Sequence, residues 1–199
     1  MNTIKRRQFI SQLSLATAAL SFPYSGFSFS KRTDTFVEAD STHGKIKVLR
    51  SEGVNIFKGI PYAGEISGEY RFRRPAPLQP WAGVRDATQL GAPSIQQPGQ
   101  TRGLNEPKPS EDCLFLNVWT PANDNRRRPV MFYNHGGGFS NGSGGAVDQD
   151  GSNLARLFDV VVVETNHRLG IMGYLYLDEI AGTDYAGSGN MGMLDIVAG

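Results

Sequence analysis

Pro129-Val130-Met131-Phe132-Tyr133-Asn134-His135-Gly136-Gly137-Gly138-Phe139 carries an apolar, β-forming run straight into three consecutive glycines. Downstream, Ser152-Asn153-Leu154-Ala155-Arg156-Leu157-Phe158 suits a short helix. Val160-Val161-Val162-Val163 then opens a strand to Thr165, a continuous β-branched run of the kind found where both faces of a strand are covered. Strand, glycine turn, helix and buried strand in that order is a crossover pattern, and it predicts an α/β sheet. Upstream, a third strand is expected over Cys113 to Trp119. A hairpin is expected from Lys45-Ile46-Lys47-Val48-Leu49 and Val54-Asn55-Ile56-Phe57 across Ser51-Glu52-Gly53. Between them, Pro61 to Pro109 is rich in proline and glycine without periodicity, which predicts a long surface excursion with few regular elements.

The 199 residues leave room for one domain and one core. Lys5, Arg6 and Arg7 sit in a first thirty residues that hold no acids, so the remainder is slightly acidic. That balance disfavours nucleic acid or an anionic membrane as a partner. The lone cysteine, Cys113, has no intramolecular partner, and no CxxC or HExxH spacing occurs, so neither a structural metal nor any other cofactor is expected. Residues 1–30 read as an export signal: a basic start, a weakly apolar Phe9 to Phe22, then a small, polar end at Ser28-Phe29-Ser30. The apolar stretch is too short for a permanent membrane anchor. Arg6-Arg7-Gln8-Phe9-Ile10 resembles a twin-arginine address, which implies the twin-arginine translocase as a partner and a periplasmic or secreted body over residues 31–199; an ordinary secretory signal is the alternative.

The glycine run is the strongest chemical signal. Three glycines cost backbone entropy, so a turn that keeps them needs positive φ or a bare backbone close to a ligand. At the end of a buried strand such a turn aims N–H groups into a cleft, which is how an oxyanion hole is made. A flexible loop is the plainer alternative.

The same segment resembles the oxyanion segment of type B carboxylesterases, the cholinesterase-like members of the α/β-hydrolase superfamily. Four further blocks agree in order: Gly59-Ile60-Pro61-Tyr62-Ala63; Arg71-Phe72-Arg73-Arg74-Pro75 with Trp81; Ser110-Glu111-Asp112-Cys113-Leu114-Phe115-Leu116-Asn117-Val118-Trp119-Thr120-Pro121; and Asn166-His167-Arg168-Leu169-Gly170 with Gly189-Asn190-Met191-Gly192-Met193-Leu194-Asp195. The resemblance implies the N-terminal part of an α/β-hydrolase fold, a mixed, mostly parallel sheet with crossover helices, and hydrolysis of a small-molecule carboxylic ester. It implies oxyanion donors at Gly137 and Gly138, a pocket wall at Phe139, and structural ion pairs Arg71 with Glu111 and Arg168 with Asp195. Cys113 stands where the family often starts a disulfide, with Ser94 at the partner position, so a free buried thiol is expected. His167 replaces the family's more usual tyrosine.

The family places its serine elbow and the rest of its triad beyond the block ending at Asp195, so this chain is expected to lack nucleophile, acid and catalytic histidine and to be inactive alone. A non-catalytic binding or adhesion relative is the alternative. Gly138-Phe139-Ser140-Asn141-Gly142 satisfies G-x-S-x-G, but the glycine run intervenes after the strand and no helix is expected to leave it, so Ser140 is read as non-catalytic and His43, His135 and His167 as structural. Gly187-Ser188-Gly189-Asn190-Met191-Gly192 matches a dinucleotide fingerprint yet lacks the preceding strand.

Overall fold

The computed structural model describes residues 34–99 and 106–199. The export signal expected over residues 1–30 lies outside the described residues. Seven strands, β1 (Thr35–Ser41), β2 (Gly44–Ser51), β3 (Val54–Pro61), β4 (Val84–Asp86), β5 (Phe115–Thr120), β6 (Val130–Asn134) and β7 (Val161–Thr165), form one sheet. Its order is β1-β2-β3-β5-β7-β6, with β4 added beside β2. Among the described residues three α-helices follow the later strands: α1 (Ser152–Phe158), α2 (Gly170–Tyr174) and α3 (Met191–Ala198).

The expected hairpin joins β2 to β3. Its two-residue turn is Glu52 (φ 50°) and Gly53 (φ 82°), the doubly left-handed conformation whose twist matches that of paired strands. The crossover also stands: β6 leads through α1 to β7, and β6 and β7 pair in parallel from Val130 against Val161 to Asn134 against Thr165.

The sheet is mixed, but among the described residues it is not mostly parallel. Only β6 with β7 and β2 with β4 run parallel; β1–β2, β2–β3, β3–β5 and β5–β7 are antiparallel. A parallel pair needs a crossover, and the early strands are joined by tight turns. The excursion after Pro61 is as poor in regular elements as expected: among its described residues it holds one 3-10 turn (Gly68–Tyr70) and the three-residue β4. β4 is a strand because Lys45–Lys47 of β2 offers it an open edge, not because its residues favour one.

One face of the sheet carries Val54, Ile56, Trp119 and Val162, and α1 covers it through the buried Ala155. α1 approaches so closely that a Cβ on Gly151 would stand 2.8 Å from the Val162 side chain. The helix ends at Asp159, left-handed at φ 53°, whose carboxylate accepts from the Arg128 Nε at 2.8 Å and the Arg126 guanidinium at 2.9 Å. Ile46, Val48 and Ala87 form a second cluster under Trp81, and Ala63, Ile66, Cys113 and Leu114 a third. β6 lies at the sheet's rim with every residue exposed, so the glycine turn emerges at the edge of the described structure.

Candidate active site

β6 ends at Asn134, where the Thr165 hydroxyl donates to the Asn134 side chain at 3.0 Å. The chain then leaves the sheet and turns. Gly137 (φ 128°), Gly138 (φ 61°) and Phe139 (φ 59°) all lie at positive φ. The turn closes on one acceptor, the Gly137 carbonyl, which receives Ser140 N–H at 3.1 Å, Asn141 N–H at 3.3 Å and the Ser140 hydroxyl at 2.9 Å. The N–H groups of Gly137 and Gly138 make no hydrogen bond among the described residues, and neither belongs to the β6–β7 ladder. A cavity of about 260 Å³ opens beside Gly137, lined by Tyr133, Gly136, Gly137 and Gly142 among others; Gly138 and Phe139 are not among its lining residues.

The three glycines answer different demands. A Cβ on Gly136 or Gly138 meets nothing within 4 Å, whereas one on Gly137 would stand 1.9 Å from the Asn141 carbonyl oxygen. Gly137 is therefore fixed by both space and φ, and Gly138 by φ alone. Phe139 is half exposed; its ring leans on Tyr174 at 5.3 Å and meets His167 edge-on at 6.4 Å, and its carbonyl accepts Gly170 N–H at 2.7 Å.

Polar side chains to which the sequence reading gave no role hold the far end of this loop. Gln96 bonds both backbone groups of Gly142. At Gly144, Asn166 accepts the N–H and Asn117 donates to the carbonyl, each at 2.8 Å. The Ser143 hydroxyl donates to Glu106. Asn117 left a trace in the sequence, a polar residue at an inward position of an otherwise apolar strand.

His135 and His167 stack with centroids 4.6 Å apart, an encounter the sequence did not foretell. His135 Nδ1 lies 2.9 Å from the Gly136 carbonyl, while His135 Nε2 and His167 Nδ1 are buried without a partner among the described residues. Burial lowers both affinities for a proton, and the neighbouring imidazole adds to this for His167, which falls to about 4. Among the described residues neither ring hydrogen-bonds a carboxylate, and the Ser140 hydroxyl bonds the Gly137 carbonyl and not an imidazole.

β7 buries a carboxyl. Glu164 is 3% exposed, its Oε2 has no partner among the described residues, and burial, with Asp150 and Asp148 adding repulsion, pushes it up to about 8. An unfolded glutamate releases its proton near pH 4.5. From there to about pH 8 the folded chain binds the extra proton, so stability falls as pH rises through that window. His167 acts in the opposite sense: the unfolded chain binds the extra proton between pH 6.5 and about 4, so its contribution is complete above 6.5 and is lost as pH falls towards 4. Glu164→Gln is expected to remove the alkaline loss, gaining on the parent by up to about 1.4 kcal/mol per pH unit across the window. Urea unfolding at a series of pH values checks this; parallel profiles for parent and variant would refute it.

Arg71 and Glu111 meet at 2.6 Å at the surface, where the guanidinium hydrogen bond lowers the Glu111 carboxyl below its usual range. Arg168 and Asp195 meet in the interior: Nε to Oδ2 at 2.9 Å and a terminal nitrogen to Oδ1 at 2.7 Å, with Arg168 N–H also donating to Oδ2 at 3.0 Å. The remaining Arg168 nitrogen donates to the Arg73 carbonyl at 2.8 Å. Cys113 is free and buried, and burial pushes its thiol up to about 12. Ser94 lies beside it and accepts Leu169 N–H at 3.1 Å. The dinucleotide look-alike is occupied by its own chain: Asp178 accepts the N–H groups of Gly187 and Ser188 at 2.8 and 3.1 Å, taking donors a phosphate would need.

The model of the carboxylesterase family matches residues 36–199. The chain belongs to that family. Para-nitrobenzyl esterase of Bacillus subtilis (strain 168) is 41% identical over 159 residues, 78% of this chain and 32% of the relative. Fumonisin B1 esterase of Sphingopyxis macrogoltabida is 42% identical over 147 residues, 73% of this chain and 27% of the relative. Among solved structures, a Geobacillus stearothermophilus carboxylesterase superposes with a TM-score of 0.74 at 44% identity, over 81% of this chain and 32% of that one. An esterase from Clostridium hathewayi gives 0.75 at 37%, over 84% and 35%. This carboxylesterase-family chain thus spans about a third of the length of the relatives it matches.

Proposed function

We propose that the chain forms the oxyanion side of a carboxylic ester hydrolase acting on small-molecule esters. As an ester carbonyl becomes tetrahedral, the N–H groups of Gly137 and Gly138 receive the charge on its oxygen, and Phe139 lines the pocket beside it. Nucleophile, general base and acid are supplied from outside these 199 residues. Arg71–Glu111 and Arg168–Asp195 are structural, and export through the twin-arginine translocase to the periplasm or beyond completes the reading. The observation that carries the proposal is the pair of unengaged N–H donors on a positive-φ turn at the end of β6, the first of them, Gly137, lining a cavity. Family membership supports it, as does the inward tie of the Ser140 hydroxyl.

A chimera tests it: residues 36–199 replace the matching segment of the B. subtilis esterase. The chimera is expected to hydrolyse a short-chain p-nitrophenyl ester, and the 199-residue chain alone is not. Hydrolysis by the chain alone that Ser140→Ala abolishes would overturn the assignment of the nucleophile. A folded but inert chimera would favour a non-catalytic binding role.

A further inference from the structure

We infer that Gln96 is a positioning residue for the oxyanion glycines, acting through the backbone of Gly142; this rests on the ester-hydrolase reading. Its side-chain amide meets Gly142 from both directions. Oε1 accepts Gly142 N–H at 2.8 Å, and Nε2 donates to the Gly142 carbonyl at 2.9 Å and to the Ser94 carbonyl at 3.1 Å. The base of this arm is fixed, because Ser94 holds Leu169 N–H and the Pro93 carbonyl accepts Ser110 N–H at 2.9 Å.

Gly142 in turn lies hard against the opening of the glycine turn. At φ 110°, a Cβ there would stand 2.4 Å from the Gly136 carbonyl oxygen and 2.5 Å from His135 Nδ1. Gly137 packs as tightly on Asn141. The segment from His135 to Gly142 is therefore a closed loop whose two ends pack directly on each other. Its internal bonds to the Gly137 carbonyl shape it but do not anchor it. Anchorage comes from Gly170 at Phe139, from Asn117 and Asn166 at Gly144, and from Gln96 at Gly142. Of these, Gln96 grips the residue in contact with Gly136. A primary amide presents donor and acceptor at one end, which is what a peptide N–H and C=O side by side require. Methionine has nearly the same reach and neither group. Glutamic acid reproduces the pair only while protonated.

The test uses isotope-labelled 199-residue chain. In Gln96→Met, exchange of the Gly142 amide is expected to rise about tenfold to a hundredfold, the loss of two local hydrogen bonds. The Gly137 and Gly138 amide resonances are expected to shift while those of Val161–Thr165 stay in place. Gln96→Glu at pH 8 keeps an acceptor for Gly142 N–H but sets a carboxylate against the Gly142 and Ser94 carbonyls. Its Gly137 and Gly138 resonances are therefore expected to shift with less loss of Gly142 protection than in Gln96→Met. They are expected to return towards the parent spectrum as the new carboxyl takes up its proton, a recovery that mere filling of space cannot produce. Parent-like Gly137, Gly138 and Gly142 amides in both variants, or a Gln96→Glu spectrum indifferent to pH, would overturn the inference. In the chimera, Gln96→Met is expected to lower kcat at least about tenfold with KM little changed, since small misplacements of catalytic groups are costly. Displaced amides with an unchanged kcat would refute the oxyanion reading and leave the grip of Gln96 standing; undisturbed amides would refute the grip whatever the chimera does.

Discussion

Gly137→Ala in the chimera is expected to lower kcat by about 10²–10³, the loss typical of removing one oxyanion donor. The added Cβ would overlap the Asn141 carbonyl oxygen, so the backbone must shift, and it carries both proposed donors with it. Gly136→Ala is the control. Its Cβ meets nothing within 4 Å and its φ is not positive, so turn geometry and kcat should change little. KM separates the effects further: donors that act on developing charge affect kcat far more than ground-state binding. Equal losses from the two substitutions would mean that the turn serves only as a linker.

Asp195→Ala is expected to destabilise the chain by about 3–5 kcal/mol, the usual cost of leaving one partner of a buried ion pair alone. Arg168 and Asp195 are respectively 1% and 0% exposed, and the carboxylate accepts three hydrogen bonds from Arg168. Without it the guanidinium keeps only the Arg73 carbonyl. Glu111→Ala is expected to cost at most about 1 kcal/mol, because its partner is half in solvent and screened. Urea unfolding of both variants decides the matter: comparable losses would contradict the burial argument. Salt adds a second check, since the surface pair should weaken with ionic strength and the interior pair should not.

These two pairs were legible as candidates in the sequence, but their unequal worth was not. Burial is set by what packs around a residue, and nothing local to Arg168 announces that α3 will close over it. The same distinction runs through the fold. β6 and α1 were legible because each is punctuated locally, β6 by Pro129 and the glycines, α1 by Gly151 and Asp159. β4 was not, because three residues carry no periodicity and their extended state is lent by a distant neighbour. The glycine turn was visible because glycine is conspicuous where φ must be positive. Gln96 and Asn166 were not, since a polar residue in a polar loop gives no hint of whose backbone it will meet. The stack of His135 on His167 joins a turn to a strand end, and only the crossover brings them together.

Glu164 makes folding a proton-consuming event. At neutral pH the collapsed chain takes up close to one hydrogen ion at this carboxyl, set against a smaller release from the two imidazoles. Calorimetric heats of unfolding should therefore differ between phosphate and Tris, whose ionisation enthalpies differ widely, by an amount that reports the net exchange and shrinks when the side chain becomes an amide.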